Sequence, residues 1–243
     1  MTAGWERPRA ILFDWDGTLV DSWDAIHAAL VGTQEARGVT PWTRTEARER
    51  LQSLRDHFPI LFGAEWREAL TDYRQRYYAT HLEAIRPLDG AEALLAACAD
   101  LGVPLGVVSS KLGDGLRREA EHLGWHRRFR VLIGAGDAAR DKPDAAPAHA
   151  ALEALGVAPG ADVWLVGDST ADLGCARNAG LGAVLVGDDP AALNAVALSG
   201  AALSGAAPGG TYGDVRVVAD CRVLTAIVRG LETGVASAGP RPI

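Results

Sequence analysis

Polar side chains suited to phosphate chemistry come after four apolar runs of this sequence. Two acids, Asp14 and Asp16, come directly after the first run. Later runs lead to two serines with a lysine, to a lysine beside a proline, and to a further set of acids. These groups are Ser109-Ser110-Lys111, Lys142-Pro143, and Gly167-Asp168-Ser169 with Asp172. Because ligands bind at the carboxyl ends of strands in open α/β sheets, the groups are predicted to meet at one edge.

Such a group of acids and cations suits metal-assisted phosphoryl transfer. Clustered carboxylates raise one another's pKa values unless a cation lies among them, and Mg²⁺ is a hard ion that prefers oxygen ligands. Lys142 could neutralise charge on a nucleophile or on a transferring phosphoryl group, and Ser109 could donate to its oxygens. Asp14 could serve as the covalent acceptor, while Asp16 could protonate the leaving oxygen and later activate water.

Short apolar runs alternate with helical patterns along most of the chain. Strand-like runs lie at 9–13, 104–108, 130–133, 163–166, 183–186 and 215–218. Helical patterns, mostly closed by a glycine, lie at 90–101, 116–123, 144–155 and 172–179. Continuous apolar strands suit a sheet covered on both faces, so the alternation predicts an α/β fold with a doubly wound, mainly parallel sheet.

One region departs from this alternation. From residue 23 to 85 the pattern is helical only, including 43–54 and 65–82. We predict a small all-helical domain at 23–85, inserted after the first strand of an α/β core formed by 1–22 and 86–243. The stretch 190–213 carries no charge and is predicted to be a helix followed by a flexible surface loop.

These motifs resemble those of the haloacid dehalogenase superfamily, in its phosphoglycolate-phosphatase-like branch. The likeness covers nearly the whole chain, with four motifs in the family's order. They are Asp14-x-Asp16-Gly17-Thr18-Leu19-Val20-Asp21-Ser22, then Ser109-Ser110-Lys111, then Lys142-Pro143, and finally Gly167-Asp168-Ser169-x-x-Asp172 followed by Ala176-Arg177-Asn178-Ala179-Gly180. Two departures are Ala145, where many relatives carry a second proline, and the serine pair, which replaces the more familiar Thr-Asn.

The resemblance implies Mg²⁺-dependent hydrolysis of a small phosphate monoester, with a Rossmann-like core and the helical insert as a mobile cap. Asp14 would be the nucleophile and a metal ligand. Asp16 would act as general acid and base and would give its backbone carbonyl to the metal. Asp168 would be the remaining metal carboxylate, and Asp172 would support the metal directly or through water.

The resemblance also implies where the substrate is held. Ser109 and Lys142 would bind the phosphoryl group and the nucleophile, although either adjacent serine could face the phosphate. Further substrate contacts are predicted at Gly17, Ser110, Lys111 and Arg55. In the cap, Arg44, Arg48, Arg55 and His57 are candidate contacts that could equally be solvated helix charges.

Several other functions remain open or are disfavoured at this stage. A phosphomutase of the β-phosphoglucomutase type would share the motifs, and a non-catalytic binding protein could keep the fold. Dehalogenase chemistry is disfavoured because those relatives lack the acid present here as Asp16. Phosphonate hydrolysis is disfavoured because residues 23–85 contain no lysine for a Schiff base.

Composition limits the partners of this chain. Its 243 residues are 48% hydrophobic and 23% charged, as in ordinary globular proteins. The formal charge of −7 argues against an extended nucleic-acid surface, and the sequence indicates no membrane span. Three widely spaced cysteines and the lack of an apolar run before residue 9 favour a cytoplasmic protein. The expected partner is a small phosphorylated metabolite, and the protein is expected to be a monomer or a homodimer.

Overall fold

The structure is a computed structural model that describes residues 5–50, 54–188, 192–195, 211–212 and 215–235. Of the helix and loop predicted over 190–213, residues 192–195 are helical and 211–212 are extended. The remaining residues of that stretch lie outside the described part, so the prediction stands untested there.

Nine strands are described. They are β1 Ala10–Phe13, β2 Val20–Asp21, β3 Arg86–Pro87, β4 Leu105–Leu112, β5 Val131–Ala135, β6 Val163–Gly167, β7 Gly182–Val186, β8 Thr211–Tyr212 and β9 Val215–Val218. Seven form one sheet in the order β5-β4-β1-β6-β7-β9-β8, and β2 pairs with β3 separately. All pairs in the large sheet are parallel except β8 with β9. The predicted doubly wound, mainly parallel sheet is therefore confirmed.

The strand order reverses direction at β1, which lies between β4 and β6. Chain order runs outwards from β1 through β4 to β5 on one side, and from β6 through β7 to β9 on the other. A reversal of this kind opens a crevice at the carboxyl ends of the central strands, where α/β proteins bind ligands. Every residue of β1, β6 and β7 is buried, as expected of apolar strands covered on both faces.

Besides the short helical segment 192–195, the described residues form nine α-helices. They are α1 Trp23–Glu35, α2 Arg44–Arg50, α3 Leu54–Phe62, α4 Trp66–Ala84, α5 Ala91–Leu101, α6 Gly113–His122, α7 Ala146–Leu155, α8 Thr170–Ala179 and α9 Cys221–Val235. The glycines at the C-termini of α5, α7 and α8 adopt positive φ and end the helices, as predicted. Among the described helices, none is both long enough and apolar enough to cross a membrane.

Residues 20–86 form one compact unit, and residues 1–19 with 87–243 form another. The smaller unit has its own aromatic core, in which Phe58 is fully buried and its ring centroid lies 5.5 Å from that of Tyr73. Of the helix predicted over 43–54, residues 44–50 form α2 and Leu54 belongs to α3, while residues 51–53 lie outside the described part. The aromatic residues and Pro59 of α3 are weak helix formers, and burial of Phe58 stabilises the helix instead.

Candidate active site

Lys142 lies between two buried carboxylates at the carboxyl edge of the large sheet. Its Nζ atom is 2.6 Å from Oδ1 of Asp14, which follows β1, and 2.6 Å from Oδ1 of Asp172 on α8. All three residues are at most 5% exposed. The loop after β5 thus brings a lysine to an acid 128 positions away in the sequence, as the motif order predicted.

The position of Asp172 is fixed by the start of α8. Ser169 caps the helix, and the second carboxylate oxygen of Asp172 accepts hydrogen bonds from Ser169 N at 3.0 Å and Ser169 Oγ at 2.5 Å. A β-carbon at Gly167 would come within 2.2 Å of Asp172 Cγ, so the glycine makes room for the acid. Both oxygens of Asp172 are engaged within the protein, and its support of a metal stays a prediction.

The loop that carries Lys142 is held by the later part of α8. Pro143, joined to Lys142 by a cis peptide bond, accepts a hydrogen bond on its carbonyl from Asn178 Nδ2 at 2.9 Å. A β-carbon at Gly174 would lie 2.7 Å from Pro143 Cβ, so the helix packs directly on the proline. The α8 helix therefore positions both Lys142 and its carboxylate partner Asp172.

Asp168 follows β6, the strand next to β1, and completes a group of three acids. Among the described residues, Asp14, Asp168 and Asp172 offer carboxylate oxygens that lie within 4.8 Å of one another. Oxygen-only donors at this spacing fit a hard divalent cation such as Mg²⁺. Because Asp172 is already bonded to Lys142 and Ser169, Asp14 and Asp168 are the carboxylates best suited to hold the ion.

Thr18 also belongs to this group, although no feature of the sequence singled it out from the rest of its motif. It is fully buried, and its hydroxyl lies 3.4 Å from Asp14 Oδ2 and 3.4 Å from Asp168 Oδ1. The neighbouring Gly17 has φ +89° and lies against Asp168. The backbone of residues 17–18 thus sets the distance between the two acids, while the predicted substrate contact at Gly17 stays untested.

The electrostatics of this group favour a bound cation. Burial raises the pKa of Asp14 to about 7; the charge of Lys142 opposes the shift, and the charge of Asp172 adds to it. Burial alone would lower the pKa of Lys142, but Asp14 and Asp172 outweigh it and raise that pKa. One lysine charge is therefore shared between two buried carboxylates, and a divalent ion beside Asp14 would favour the ionised form that a nucleophile requires.

Asp16 is held by a second lysine, Lys111, near the end of β4. Lys111 Nζ is 2.8 Å from Asp16 Oδ1 and also donates to both oxygens of Glu119, at 2.7 and 2.8 Å. Glu119 on α6 is fully buried and accepts a further bond from Trp15 Nε1 at 2.8 Å. Burial alone would lower the pKa of Lys111, but the charges of Asp16 and Glu119 raise it. The predicted substrate contact at Lys111 stays untested, and these two acids surround its ammonium.

Glu119 is absent from the predicted site, yet the sequence contains a signal for it. On α6 the buried residues include Leu116 and Ala120, so Glu119 stands on the apolar face of an otherwise ordinary amphipathic helix. A charged residue at such a position is rarely buried without a partner. The charged residue on an apolar helix face therefore indicates a buried ion pair at Glu119, but it does not identify Lys111 as the partner.

The two adjacent serines both lie in β4, which continues to Leu112 instead of ending at the predicted residue 108. Ser109 is 4% exposed, and its Oγ accepts the backbone N–H of Lys111 at 3.1 Å. Ser110 is half-buried. The contact of the Ser109 hydroxyl with a phosphate, in preference to that of Ser110, stays a prediction.

The candidate contacts of the smaller unit have different surroundings. Arg44 pairs with Asp24 and lies 3.7 Å from Asp21, so its charge is compensated within the unit. The guanidinium of Arg48 lies 5.2 Å from the centroid of the Trp23 ring. Arg55 belongs to α3, but its side chain lies outside the described residues. No substrate role of these side chains is tested.

Comparison with known proteins agrees with this fold. The family model for haloacid dehalogenase-like hydrolases matches residues 11–186, and the chain belongs to this family. Phosphoglycolate phosphatase of Xylella fastidiosa strain 9a5c is 36% identical, over 72% of this chain and 78% of the relative. N-acetylmuramic acid 6-phosphate phosphatase of Pseudomonas aeruginosa is 31% identical, over 72% of this chain and 79% of the relative. The predictions of the family and of an enzyme of the hydrolase class are confirmed.

A solved structure extends the agreement in fold. The crystal structure of a candidate phosphoglycolate phosphatase from Lactobacillus delbrueckii subsp. bulgaricus matches with a TM-score of 0.75 at 20% identity. It covers 91% of this chain, and 98% of that chain is matched. At this identity the likeness concerns the fold alone.

Proposed function

We propose that this chain is a Mg²⁺-dependent phosphatase that hydrolyses small phosphate monoesters through an aspartyl-phosphate on Asp14. The observation that carries the proposal is a pair of ion pairs at the carboxyl edge of the large sheet. Asp14 is in contact with Lys142, and Asp16 is in contact with Lys111. A nucleophilic acid and a proton-transferring acid are thereby held separately, each by its own cation.

In the first step, an oxygen of Asp14 would attack phosphorus and the bond from phosphorus to the ester oxygen would break. Asp16 would deliver its proton to the departing oxygen, so that a neutral alcohol leaves. Lys142 would balance the charge around the attacking carboxylate and the transferred group. Mg²⁺, held by Asp14 and Asp168, would supply further stabilisation of charge on the phosphoryl oxygens.

In the second step, Asp16 would take a proton from water as that water attacks phosphorus. The bond from phosphorus to the Asp14 oxygen would break, which releases inorganic phosphate and restores the carboxylate. Lys142 would remain protonated throughout, because its two carboxylate partners raise its pKa. Asp16 would thus serve as acid and then as base within one turnover.

The helical insert would act as a cap in this reaction. We place its boundaries at residues 23–85, between core segments 1–22 and 86–243. Its compact, separately packed core supports movement as a unit. Closure of such a cap would exclude bulk water during the first step and admit one water for the second.

The two named relatives suggest a substrate class. Phosphoglycolate and N-acetylmuramic acid 6-phosphate both combine a phosphate monoester with a carboxylate. We propose that the substrate is a small phosphorylated carboxylic acid. Phosphate release should be compared between each acid and an analogue that lacks the carboxylate. The pairs are phosphoglycolate with 2-hydroxyethyl phosphate, and N-acetylmuramic acid 6-phosphate with N-acetylglucosamine 6-phosphate.

The proposed activity is tested by release of inorganic phosphate from 4-nitrophenyl phosphate, with Mg²⁺ and with EDTA. The wild-type protein should release phosphate only with the metal, and Asp14→Asn should be inactive. Rapid acid quench should trap phosphate on the wild-type protein by mass spectrometry. Metal-independent turnover, an active Asp14→Asn variant, or conversion of a sugar phosphate to its isomer without phosphate release would contradict the proposal.

A further inference from the structure

Four side chains form a continuous buried chain of hydrogen bonds that ends on Asp16. Trp15 Nε1 donates to Glu119, Glu119 accepts two bonds from Lys111, and Lys111 reaches Asp16 Oδ1. Glu119 is 0% exposed and the Lys111 side chain is 7% exposed. Trp15 and Asp16, which are adjacent in the sequence, thus both bind the ion pair of Lys111 and Glu119.

Stability alone does not explain a glutamate at this position. Burying a carboxylate and an ammonium costs several kcal/mol of desolvation, and apolar residues of similar volume are often as stable or more so. The helix face around Glu119 already packs Leu116 and Ala120. An apolar residue would therefore continue the core, so the retained ion pair indicates a different requirement.

The geometry specifies that requirement. A lysine ammonium has three donors on a flexible stem and has no preferred direction of its own. Glu119 accepts from Lys111 with both oxygens, at 2.7 and 2.8 Å, which restricts the stem and directs the ammonium towards Asp16. One oxygen of Asp16 is then held in place, so the orientation of the whole carboxylate is restricted.

We propose that Glu119 is a positioning residue that, through Lys111, orients Asp16 for proton transfer to the leaving group. This inference rests on the proposed function, in which Asp16 is the general acid and base. It has a specific kinetic consequence. A well-placed acid accelerates departure of a basic alkoxide far more than departure of an acidic phenolate, which leaves without a proton.

The test compares kcat/KM of Glu119→Gln and wild type on two Mg²⁺-dependent reactions. One substrate is 2,4-dinitrophenyl phosphate, whose leaving group needs no proton, and the other is phosphoglycolate, whose leaving group does. Glu119→Gln should lose about 100-fold on the alkyl ester and less than about tenfold on the aryl ester. Glu121→Gln, an exposed change on the same helix, should lose little on either.

A second variant keeps the test independent of folding. Lys111→Met with Glu119→Leu replaces the buried ion pair by apolar residues and should unfold at a urea concentration close to that of wild type. It should still show the selective loss on phosphoglycolate. In an Asp16→Asn background, Glu119→Gln should no longer change the ratio of the two rates, because the group that it positions is gone.

The outcomes separate this inference from the proposed function. Equal losses of Glu119→Gln on both esters, or recovery of phosphoglycolate turnover in the apolar double variant, would overturn the positioning role and leave the proposed function intact. A wild-type protein that cleaves neither ester with Mg²⁺ would overturn the proposed function, and the positioning role with it.

Discussion

The backbone of Gly17 lies so close to Asp168 that a β-carbon there would stand 2.1 Å from Asp168 Oδ2. The glycine also has φ +89°, a backbone conformation that residues with a side chain rarely adopt. Two independent restrictions therefore meet at one position directly after the Asp14 to Asp16 segment. They place the second acid of the candidate metal site against the loop that carries the first.

Gly17→Ala should therefore damage metal binding beyond its cost in backbone strain. Displacement of Asp168 should lower kcat/KM about 100-fold and raise the Mg²⁺ concentration needed for half-maximal activity about tenfold or more. Gly156→Ala is a matched control, with φ +67° and no atom within 4 Å of the added carbon. It should cost about 1 to 2 kcal/mol of unfolding free energy with an unchanged Mg²⁺ requirement. An unchanged Mg²⁺ requirement in Gly17→Ala would contradict this account.

Lys142→Met should be costly for both stability and turnover. Removal of the ammonium leaves Asp14 and Asp172 buried without their shared cation, which should reduce the free energy of unfolding by about 3 kcal/mol in EDTA. Mg²⁺ should recover part of that loss by neutralising Asp14, while activity stays near background. Urea unfolding with and without Mg²⁺ measures the effect; equal stability of variant and wild type in EDTA would contradict it.

The two lysines of this chain are Lys111 and Lys142, and both are buried in the candidate site. An amine-reactive reagent such as acetic anhydride should therefore spare both lysines in the folded protein. In urea both lysines should become acetylated, as peptide mass spectrometry would show. Rapid acetylation of either lysine in the folded, active protein would be inconsistent with the burial described.

Asp72 provides a pH prediction for the smaller unit. Burial alone would raise the pKa of Asp72, but hydrogen bonds from Arg37 and Arg76 outweigh it and hold that pKa below its ordinary value. A lowered folded pKa means that the ionised form favours folding. The contribution is therefore complete above the ordinary pKa of about 3.9 and is lost as the pH falls through the folded value.

Asp72→Asn should lower the unfolding free energy at pH 7 by about 0.5 kcal/mol for each of the two pairs, after allowance for solvent screening. The difference from wild type should shrink below pH 4 and in high salt. Glu83→Gln, an exposed change on the same helix, should remain within about 0.5 kcal/mol of wild type. A difference between Asp72→Asn and wild type that does not depend on pH would rule out the ion pairs as its cause.

Much of the candidate site could be predicted because several of its members follow apolar strands. Asp14 after β1 and Asp168 after β6 are polar residues at the ends of buried runs, and a parallel sheet brings such ends to one edge. Lys142 was identifiable by its place in the motif order. The positions of Glu119 and Thr18 were not identifiable in this way, because neither stands at a strand end that the sequence reveals.

The elements of the smaller unit were harder to predict. The α3 helix contains Pro59 and several aromatic residues, and its helical form depends on contacts such as that of Phe58 with Tyr73. The helix propensities of its residues therefore do not by themselves predict α3. Likewise, β4 runs four residues past the predicted end, because pairing with β5 resumes at Leu112 after a register shift.

The sequence by itself determined the parallel α/β core, the family and the acids, serine and lysine of the candidate site. These follow from apolar periodicity and from short motifs, which are local properties of the chain. Only the tertiary structure decided which charges are partners: Lys142 with Asp14 and Asp172, and Lys111 with Asp16 and Glu119. Such pairings join residues up to 128 positions apart, and they depend on strand order and helix packing, which no local pattern specifies.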